Sequence, residues 1–281
     1  MKNPSESIEA IILQHSNRGM KQLQKSMNPG YCRRAAQLIL DNKGTVVIGT
    51  GFPVQGSFES DGPIGAIALY RVLIELDYDP VFACAPPIAT ILSHGYLTYE
   101  LPITGWNESR PIIKRALKEL EPSLIVSIER PGVTANGRYF NMYKQDITEQ
   151  TAKFDLFLHE GKCPSICFGD GGNEIGMGNV QAALATVDII PAVTTCDELV
   201  IASVSNWGVY GVIAALCDLL DRDLFESIDP EAIANYLVAN GCVDGITNRN
   251  ESSEDGFPIS TGISVIQQLR DLVLTPDPEH E

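Results

Sequence analysis

The segment FGDGGNEIGMGN at residues 168–179 combines five glycines with two carboxylates in twelve residues. Glycine-rich turns that follow strands often hold phosphates with their backbone N–H groups. The carboxylates of Asp170 and Glu174 would repel a phosphate, because like charges at short range are unfavourable. The combination therefore points to a bound metal ion or another kind of substrate.

Further acidic residues lie in two other loops. Glu59 and Asp61 end one loop, and Glu129 ends the apolar run SLIVSIE. Carboxylates that are brought together resist ionisation unless a cation neutralises them. Mg²⁺, Mn²⁺ and Ca²⁺ prefer oxygen ligands, whereas the chain's four histidines make zinc a poor candidate. We predict a divalent cation, Mn²⁺ or Mg²⁺ with Ca²⁺ as a further option, bound by Glu59, Asp61, Asp170 and Glu174.

A simpler interpretation of the glycine-rich loop is helix capping. An acid near a helix N-terminus accepts hydrogen bonds from free N–H groups and interacts favourably with the helix dipole. Capping explains either Asp170 or Glu174 alone. It does not explain why both occur with Asn173 among five glycines.

Basic residues follow Glu129 in the segment ERPGVTANGRYFNMYKQD, namely Arg130, Arg138 and Lys144. Two interpretations stay open for them. They form a fork for a substrate carboxylate or phosphate, or they pair within the protein with acids such as Glu129 and Asp146.

Ser205 and Asn206 precede a helical pattern in SNWGVYG. One of them is a candidate N-cap, and Asn206 is also a candidate for orienting a substrate amide or a metal-bound water. Ser203 and Ser205 lack the G-x-S-x-G frame of a nucleophile elbow, so acyl-enzyme chemistry is disfavoured.

The elements that must position these residues follow an alternating pattern. TVVIGT, PVFACA, SLIVSIE, PSICFG and ELVIASV are short apolar runs typical of strands, and helical patterns separate them. Helices are predicted at residues 31–40, 173–186, 230–240 and 261–274, with a frayed tail over residues 275–281. This order predicts a single α/β domain with a mainly parallel sheet flanked by helices in a Rossmann-like three-layer arrangement, plus a small C-terminal subregion.

Ligands of such sheets bind beyond the carboxyl ends of the strands, so the loops after four of these runs should converge. The loop after TVVIGT begins Gly49-Thr50-Gly51 but has Val54 where a dinucleotide fingerprint needs glycine, and no P-loop lysine follows. Its length without a regular pattern favours a functional loop.

Composition excludes several classes of function. The 20 basic and 36 acidic residues give a net charge of -16, which repels nucleic acid and anionic membranes. No signal peptide and no membrane-spanning run is recognisable, so we expect a cytoplasmic protein. Seven scattered cysteines without a CxxC pair favour reduced thiols.

The motifs GTGFPV, ESDGPIGA, ERPG, NGRYFNM, GDGGNEIGMG and SNWGVYG, in this order, resemble the C-terminal domain of the D-glutamate cyclase family. The resemblance covers roughly residues 44–247 of the 281-residue chain. It implies an enzyme that closes D-glutamate to 5-oxo-D-proline with loss of water. The animal enzyme carries an additional N-terminal domain, which we do not expect in this chain.

Tested against that reaction, the candidate residues take three roles. A metal would polarise the carboxylate under attack, and Arg130 or Arg138 would bind the α-carboxylate. We predict catalytic roles for Glu129, Asp170 and Asn206, with Glu129 as the base. We predict substrate contacts for Gly51, Arg130, Arg138, Asn141, Gly171, Gly172, Asn173 and Ser205.

Two alternatives from other classes remain. The same residues suit a metal-dependent phosphohydrolase, in which the ion activates water, and they also suit a domain that binds a metabolite or metal without catalysis. We expect a small acidic substrate and a homo-oligomer.

Overall fold

The computed structural model of the chain describes residues 4–16, 18–54 and 56–274, so the predicted frayed tail lies outside the described residues. The strands are β1 (Thr45–Thr50), β2 (Pro53–Val54), β3 (Ser57–Phe58), β4 (Asp79–Cys84), β5 (Thr98–Glu100), β6 (Leu124–Ile128), β7 (Ser165–Gly169), β8 (Glu198–Ile201), β9 (Ser253–Glu254) and β10 (Phe257–Pro258).

The helices are α1 (Pro4–Ile12), α2 (Met20–Leu23), α3 (Tyr31–Asp41), α4 (Pro63–Glu75), α5 (Ile88–Leu92), α6 (Trp106–Leu120), α7 (Asp155–Glu160), α8 (Gln181–Leu184), α9 (Ser205–Leu220), α10 (Pro230–Ala239) and α11 (Ile259–Leu274). Short 3₁₀ turns occur at Gln24–Ser26, Thr148–Gln150, Met177–Val180 and Phe225–Ser227. Among the described residues, no helix combines the length and apolar character needed to cross a bilayer.

The central sheet has six strands in the order β5-β4-β1-β6-β7-β8. Every neighbouring pair in it is parallel. The inner strands are apolar and fully buried, as β6 and β7 illustrate, because helices cover both faces of a parallel sheet. The predicted α/β fold with a parallel sheet flanked by helices is confirmed.

The connectivity of this sheet creates a crevice between β1 and β6. From β1 the chain moves outward through β4 to β5, then returns to β6 and moves outward through β7 and β8 on the other side. Loops that leave β1 and β6 therefore diverge toward opposite faces of the sheet. Ligands of open α/β sheets bind at such a topological switch point.

Helices α4 and α9 pack against each other on one side of the sheet, and α6 packs against α7. The C-terminal helix α11 packs on α9 and on α1, so the two ends of the described chain meet. Trp207 of α9 is fully buried in this packing. These contacts hold the N-termini of α4 and α9 close to the carboxyl ends of β1 and β6.

Two local predictions need correction. The loop after β1 is not without regular structure, because β2 and β3 form an antiparallel hairpin in it. The predicted helix at residues 173–186 is only partly correct: residues 173–176 and 185–186 are not helical, and the rest is the 3₁₀ turn Met177–Val180 followed by the short α8. Gly172 and Gly176 have φ values of 112° and 97°, which end a regular right-handed helix.

Candidate active site

Three carboxylates from three loops meet at the carboxyl edge of the sheet. Glu129 follows β6 directly, Asp170 follows β7 directly, and Asp61 lies two residues before α4. One carboxylate oxygen from each lies within 4.8 Å of those of the other two. We call Asp61, Glu129 and Asp170 the three-carboxylate cluster. All three side chains are buried.

Asp61 owes its position to helix capping. Its Oδ2 accepts the N–H of Ser205 at 2.9 Å, and its Oδ1 accepts the N–H of Asn206 at 2.8 Å, at the first two residues of α9. These N–H groups have no partner within the helix, so the carboxylate satisfies them and interacts favourably with the helix dipole. The predicted cap of α9 is thus supplied by Asp61, and not by Ser205 or Asn206.

Glu129 sits in an unusual backbone conformation, with φ at 44°. Non-glycine residues with positive φ are uncommon and cluster at functional sites. Ser205 Oγ donates to Glu129 Oε2 at 2.6 Å and fixes the carboxylate. Gly62 makes room for it, because a Cβ at Gly62 would lie 2.7 Å from Glu129 Cβ.

Asp170 is the most deeply buried member of the three-carboxylate cluster, with no exposed surface. Its Oδ2 forms an ion pair with Arg18, whose Nη2 also donates to Asp255. Its Oδ1 is buried without a hydrogen-bond partner among the described residues. Leaving a buried carboxylate oxygen unpaired is costly, so this atom is a natural ligand for a cation.

Glu174 braces its own loop. Its two carboxylate oxygens accept the N–H groups of Gly171 at 2.9 Å and Gly172 at 2.7 Å. Asn173 donates from Nδ2 to the carbonyl of Phe140 at 3.1 Å. The glycine-rich turn is therefore wrapped around the Glu174 carboxylate, which explains why so many glycines surround an acid.

Asn206 ties α9 to α4. Its Oδ1 accepts the N–H groups of Gly62 at 2.9 Å and Gly65 at 2.7 Å, at the start of α4, and its Nδ2 donates to Glu254 at 2.7 Å. Trp207 Nε1 donates to the other oxygen of Glu254 at 2.7 Å. Asp61 and Asn206 thus cap each other's helices, and the Asn206 amide is fully engaged within the protein.

The site contains many more buried acids than bases. Six carboxylates are buried, and the side chain of Asp255 is only 6% exposed; the buried ones are Glu59, Asp61, Glu129, Asp170, Glu174 and Glu254. Burial and the neighbouring charges Asp255 and Asp61 raise the pKa of Glu59 well above its usual value. Burial likewise raises the pKa of Asp61 to about 7 and that of Glu254 to about 8.

This excess of acids fits a divalent cation. Arg18 is the one cation in direct contact with these acids among the described residues. Burial and the charge of Glu174 raise the pKa of Glu129, and burial raises that of Asp170 although Arg18 opposes it. The donor set is oxygen only, which suits Mg²⁺, Mn²⁺ or Ca²⁺.

A cleft of about 880 Å³ opens above these acids. Its acidic part includes Glu59, Glu129 and Glu174, with Arg18 and Asn173 beside them. The rest of its lining is mixed: apolar residues such as Phe52, Ile103 and Ile147 alternate with polar ones such as Gln145 and Glu149. Glu129 therefore belongs to the three-carboxylate cluster and also lines the open cleft.

The four predicted metal ligands do not all meet. Asp61 and Asp170 lie in the three-carboxylate cluster together with Glu129, which we predicted as a base. Among the described residues, Glu59 and Glu174 fall outside that group, although both line the cleft. Glu174 is committed to its loop through Gly171 and Gly172.

The predicted basic residues lie away from the acids. Arg130 donates to the carbonyls of Thr50, Gly51 and Ala152 at 3.0 to 3.2 Å, so it joins loops behind the cleft. Arg138 is exposed and pairs with Asp146 at 2.7 Å.

Two other predicted contact residues have different positions. Gly51 contributes its carbonyl to Arg130, and its φ of 95° explains the glycine. Asn141 lines the cleft at its rim, where it donates to Gln145 at 2.9 Å. Lys144, the third basic residue of the segment that follows Glu129, pairs with Asp188 at the surface.

Sequence reasoning missed Arg18, Glu254 and Asp255. Arg18 lies between α1 and α2, far along the chain from every acid that it contacts. Glu254 and Asp255 lie in the turn-rich segment ESSEDGFP, where φ of Asp255 is 51°. The cluster of acids in that turn is the only signal that the sequence carries for them.

The fold and the site together define a class: a parallel α/β domain with a buried acidic site at its topological switch point. A family model described as D-glutamate cyclase-like, C-terminal, matches residues 8–270. The chain belongs to this D-glutamate cyclase-like C-terminal family.

The sequence is also similar to a curated human protein. It is 29% identical over 289 residues to the mitochondrial D-glutamate cyclase of Homo sapiens, which covers 84% of this chain and 47% of that protein. The chain thus spans about half the length of the curated relative.

Proposed function

We propose that this protein is a lyase that cyclises D-glutamate, or a closely related small acid, with the help of a divalent cation. The observation that carries the proposal is the three-carboxylate cluster beside the cleft, with its unpartnered Asp170 Oδ1. Membership of the D-glutamate cyclase-like family supports the choice of substrate.

Asp61, Glu129 and Asp170 are the residues that would hold the cation, Mn²⁺ or Mg²⁺. A bound cation would polarise the carboxyl group under attack and stabilise the oxyanion that develops on it. In this proposal Glu129 is a cation ligand, because it lies within the three-carboxylate cluster. That assignment replaces its predicted role as the base.

Glu59 then becomes the candidate proton acceptor. It lines the cleft, and no described side chain donates a hydrogen bond to its carboxylate. Burial raises the pKa of its carboxyl group above the usual value, which makes the ionised carboxylate a stronger base. In the reaction the ammonium group of the substrate loses two protons, a C–N bond forms to the γ-carbon, and one γ-oxygen leaves with both protons as water.

The remaining residues of the site position these groups. Ser205 orients Glu129, while Asp61 and Asn206 fix the ends of α9 and α4 beside it. Apolar side chains in the cleft lining, such as Phe52 and Ile147, would limit the access of water to the reacting groups.

A direct assay tests the proposal. Purified protein is incubated with D-glutamate, L-glutamate or p-nitrophenyl phosphate, each with Mn²⁺, Mg²⁺ or EDTA. We expect 5-oxoproline from D-glutamate only when a cation is present, and its loss in Asp170→Asn.

Phosphate release without 5-oxoproline would contradict the proposal and favour a phosphohydrolase. Binding of D-glutamate without any product would favour a domain that binds a metabolite, or a reaction that needs the further half found in the human relative.

A further inference from the structure

An anionic substrate meets an electrostatic problem in this cleft. Glu59, Glu129 and Glu174 line it, and Asp61 and Asp170 lie close behind. A divalent cation offsets only part of that negative charge. A carboxylate that does not bind the cation therefore needs a second positive group, because it would otherwise be repelled.

Arg18 is the counter-charge that the fold provides. Of the described residues that line the cleft, it alone has a lysine or arginine side chain. Its Nη2 donates to Asp170 and to Asp255. Its Nε and Nη1 make no hydrogen bond to another described residue, and its side chain is 25% exposed.

The surroundings of Arg18 leave these donors accessible. Nη1 lies 3.8 Å from the position that a Cβ would take at Gly171, so the guanidinium lies beside the glycine-rich loop. Asp255 is a second anchor for Arg18. The ion pair with Asp255 would therefore hold the guanidinium in place when Asp170 binds a cation.

The other arginines near the cleft are not suited to this task. Arg130 donates to three backbone carbonyls and is buried. Arg138 is exposed and paired with Asp146. Arg130 Nε has no partner but is buried, and neither arginine is among the residues that line the cleft.

We propose that Arg18 binds the α-carboxylate of the substrate and thereby makes the cleft selective for amino acids with a free α-carboxylate. A guanidinium donates charge-assisted hydrogen bonds to a carboxylate, and Nη1 is a donor of Arg18 that remains available for one while Nη2 contacts Asp170 and Asp255. With the α-carboxylate held at Arg18, the γ-carboxyl group is free to reach the three-carboxylate cluster. This inference rests on the proposed function for the identity of the substrate.

The test is calorimetric titration of the Mn²⁺-loaded protein with D-glutamate and with D-isoglutamine, whose α-carboxylate is replaced by an amide. The wild type is expected to bind D-glutamate about tenfold or more tightly than D-isoglutamine. Arg18→Gln is expected to lose that preference, and Arg18→Lys to keep part of it because it keeps the charge. The exposed Arg138→Gln is the matched control and should behave as the wild type.

A separate Mn²⁺ titration distinguishes this role from a merely structural one. Arg18→Gln should bind Mn²⁺ at least as tightly as the wild type, because a neighbouring positive charge has been removed. The inference would be overturned if Arg18→Gln bound D-glutamate with wild-type affinity and kept the preference for D-glutamate over D-isoglutamine. It would also be overturned if the wild type bound neither D-glutamate nor D-isoglutamine. A wild type that binds D-glutamate through Arg18 but forms no 5-oxoproline would sustain the inference and contradict the proposed reaction.

Discussion

Replacing Asn206 by alanine tests whether this residue is a structural brace. Its side chain is fully buried and makes hydrogen bonds at 2.7 Å both to the N–H of Gly65 and to Glu254. Alanine leaves the Gly65 N–H without an acceptor, which costs about 1–3 kcal/mol. It also removes a donor from a buried carboxyl group, which costs about 1.5–3 kcal/mol.

Together these losses predict that Asn206→Ala lowers the free energy of unfolding by about 3–5 kcal/mol. In a protein of this length, 1 kcal/mol corresponds to a shift of about 2 °C in Tm. We therefore expect Tm to fall by about 6–10 °C in scanning calorimetry. The exposed Gln37→Ala in α3 is the control, and it should change the free energy of unfolding by less than about 0.5 kcal/mol.

The alternative role predicts the opposite pattern. If the Asn206 amide instead contacted a substrate, Asn206→Ala would have little effect on Tm but would abolish activity. A Tm for Asn206→Ala within about 2 °C of the wild type would therefore show that Asn206 does not brace the two helices.

Two further predictions concern positions outside the site. In Gly161→Ala the new Cβ would lie 2.5 Å from the carbonyl oxygen of Phe157. We therefore expect the free energy of unfolding, measured in urea, to fall by about 1–3 kcal/mol. Gly95→Ala is the control, because the space around Gly95 is open, and it should match the wild type. Burial raises the pKa of Glu9 to about 7, above its value in the unfolded chain. Its contribution to stability is therefore complete at low pH and is lost as pH rises through about 7. Between pH 5 and pH 8 in EDTA, the wild type should lose more stability than Glu9→Gln; equal losses would contradict this assignment.

The strands of the fold could be predicted because their sequences carry strong local signals. TVVIGT and PSICFG are apolar and contain β-branched residues, and they form β1 and β7. Since parallel strands end at one edge of a sheet, the convergence of Asp61, Glu129 and Asp170 followed from the order of the elements.

The glycine-rich loop shows where local patterns fail. Residues 173–186 have apolar residues at helical spacing, but the turn is organised by the Glu174 carboxylate and by glycines with positive φ. Which acceptor a backbone N–H finds depends on the folded loop, and apolar spacing carries no information about it.

Long-range contacts account for the other omissions. Arg18 contacts Asp170 and Asp255, which lie 152 and 237 residues away along the chain. Arg130 and Arg138 were favoured because they lie near Glu129 in the sequence, yet both have other partners. A single sequence does not reveal which of several basic residues folds against an acidic site.

Binding of a divalent cation by the three-carboxylate cluster can be measured directly by Mn²⁺ titration followed by electron paramagnetic resonance. We expect the wild type to bind Mn²⁺ and Asp170→Asn to bind it about tenfold or more weakly. Glu9→Gln, which alters a buried carboxyl group elsewhere, should bind Mn²⁺ normally. A wild type without Mn²⁺ binding, or an Asp170→Asn variant with wild-type affinity, would show that the three-carboxylate cluster is not a cation site.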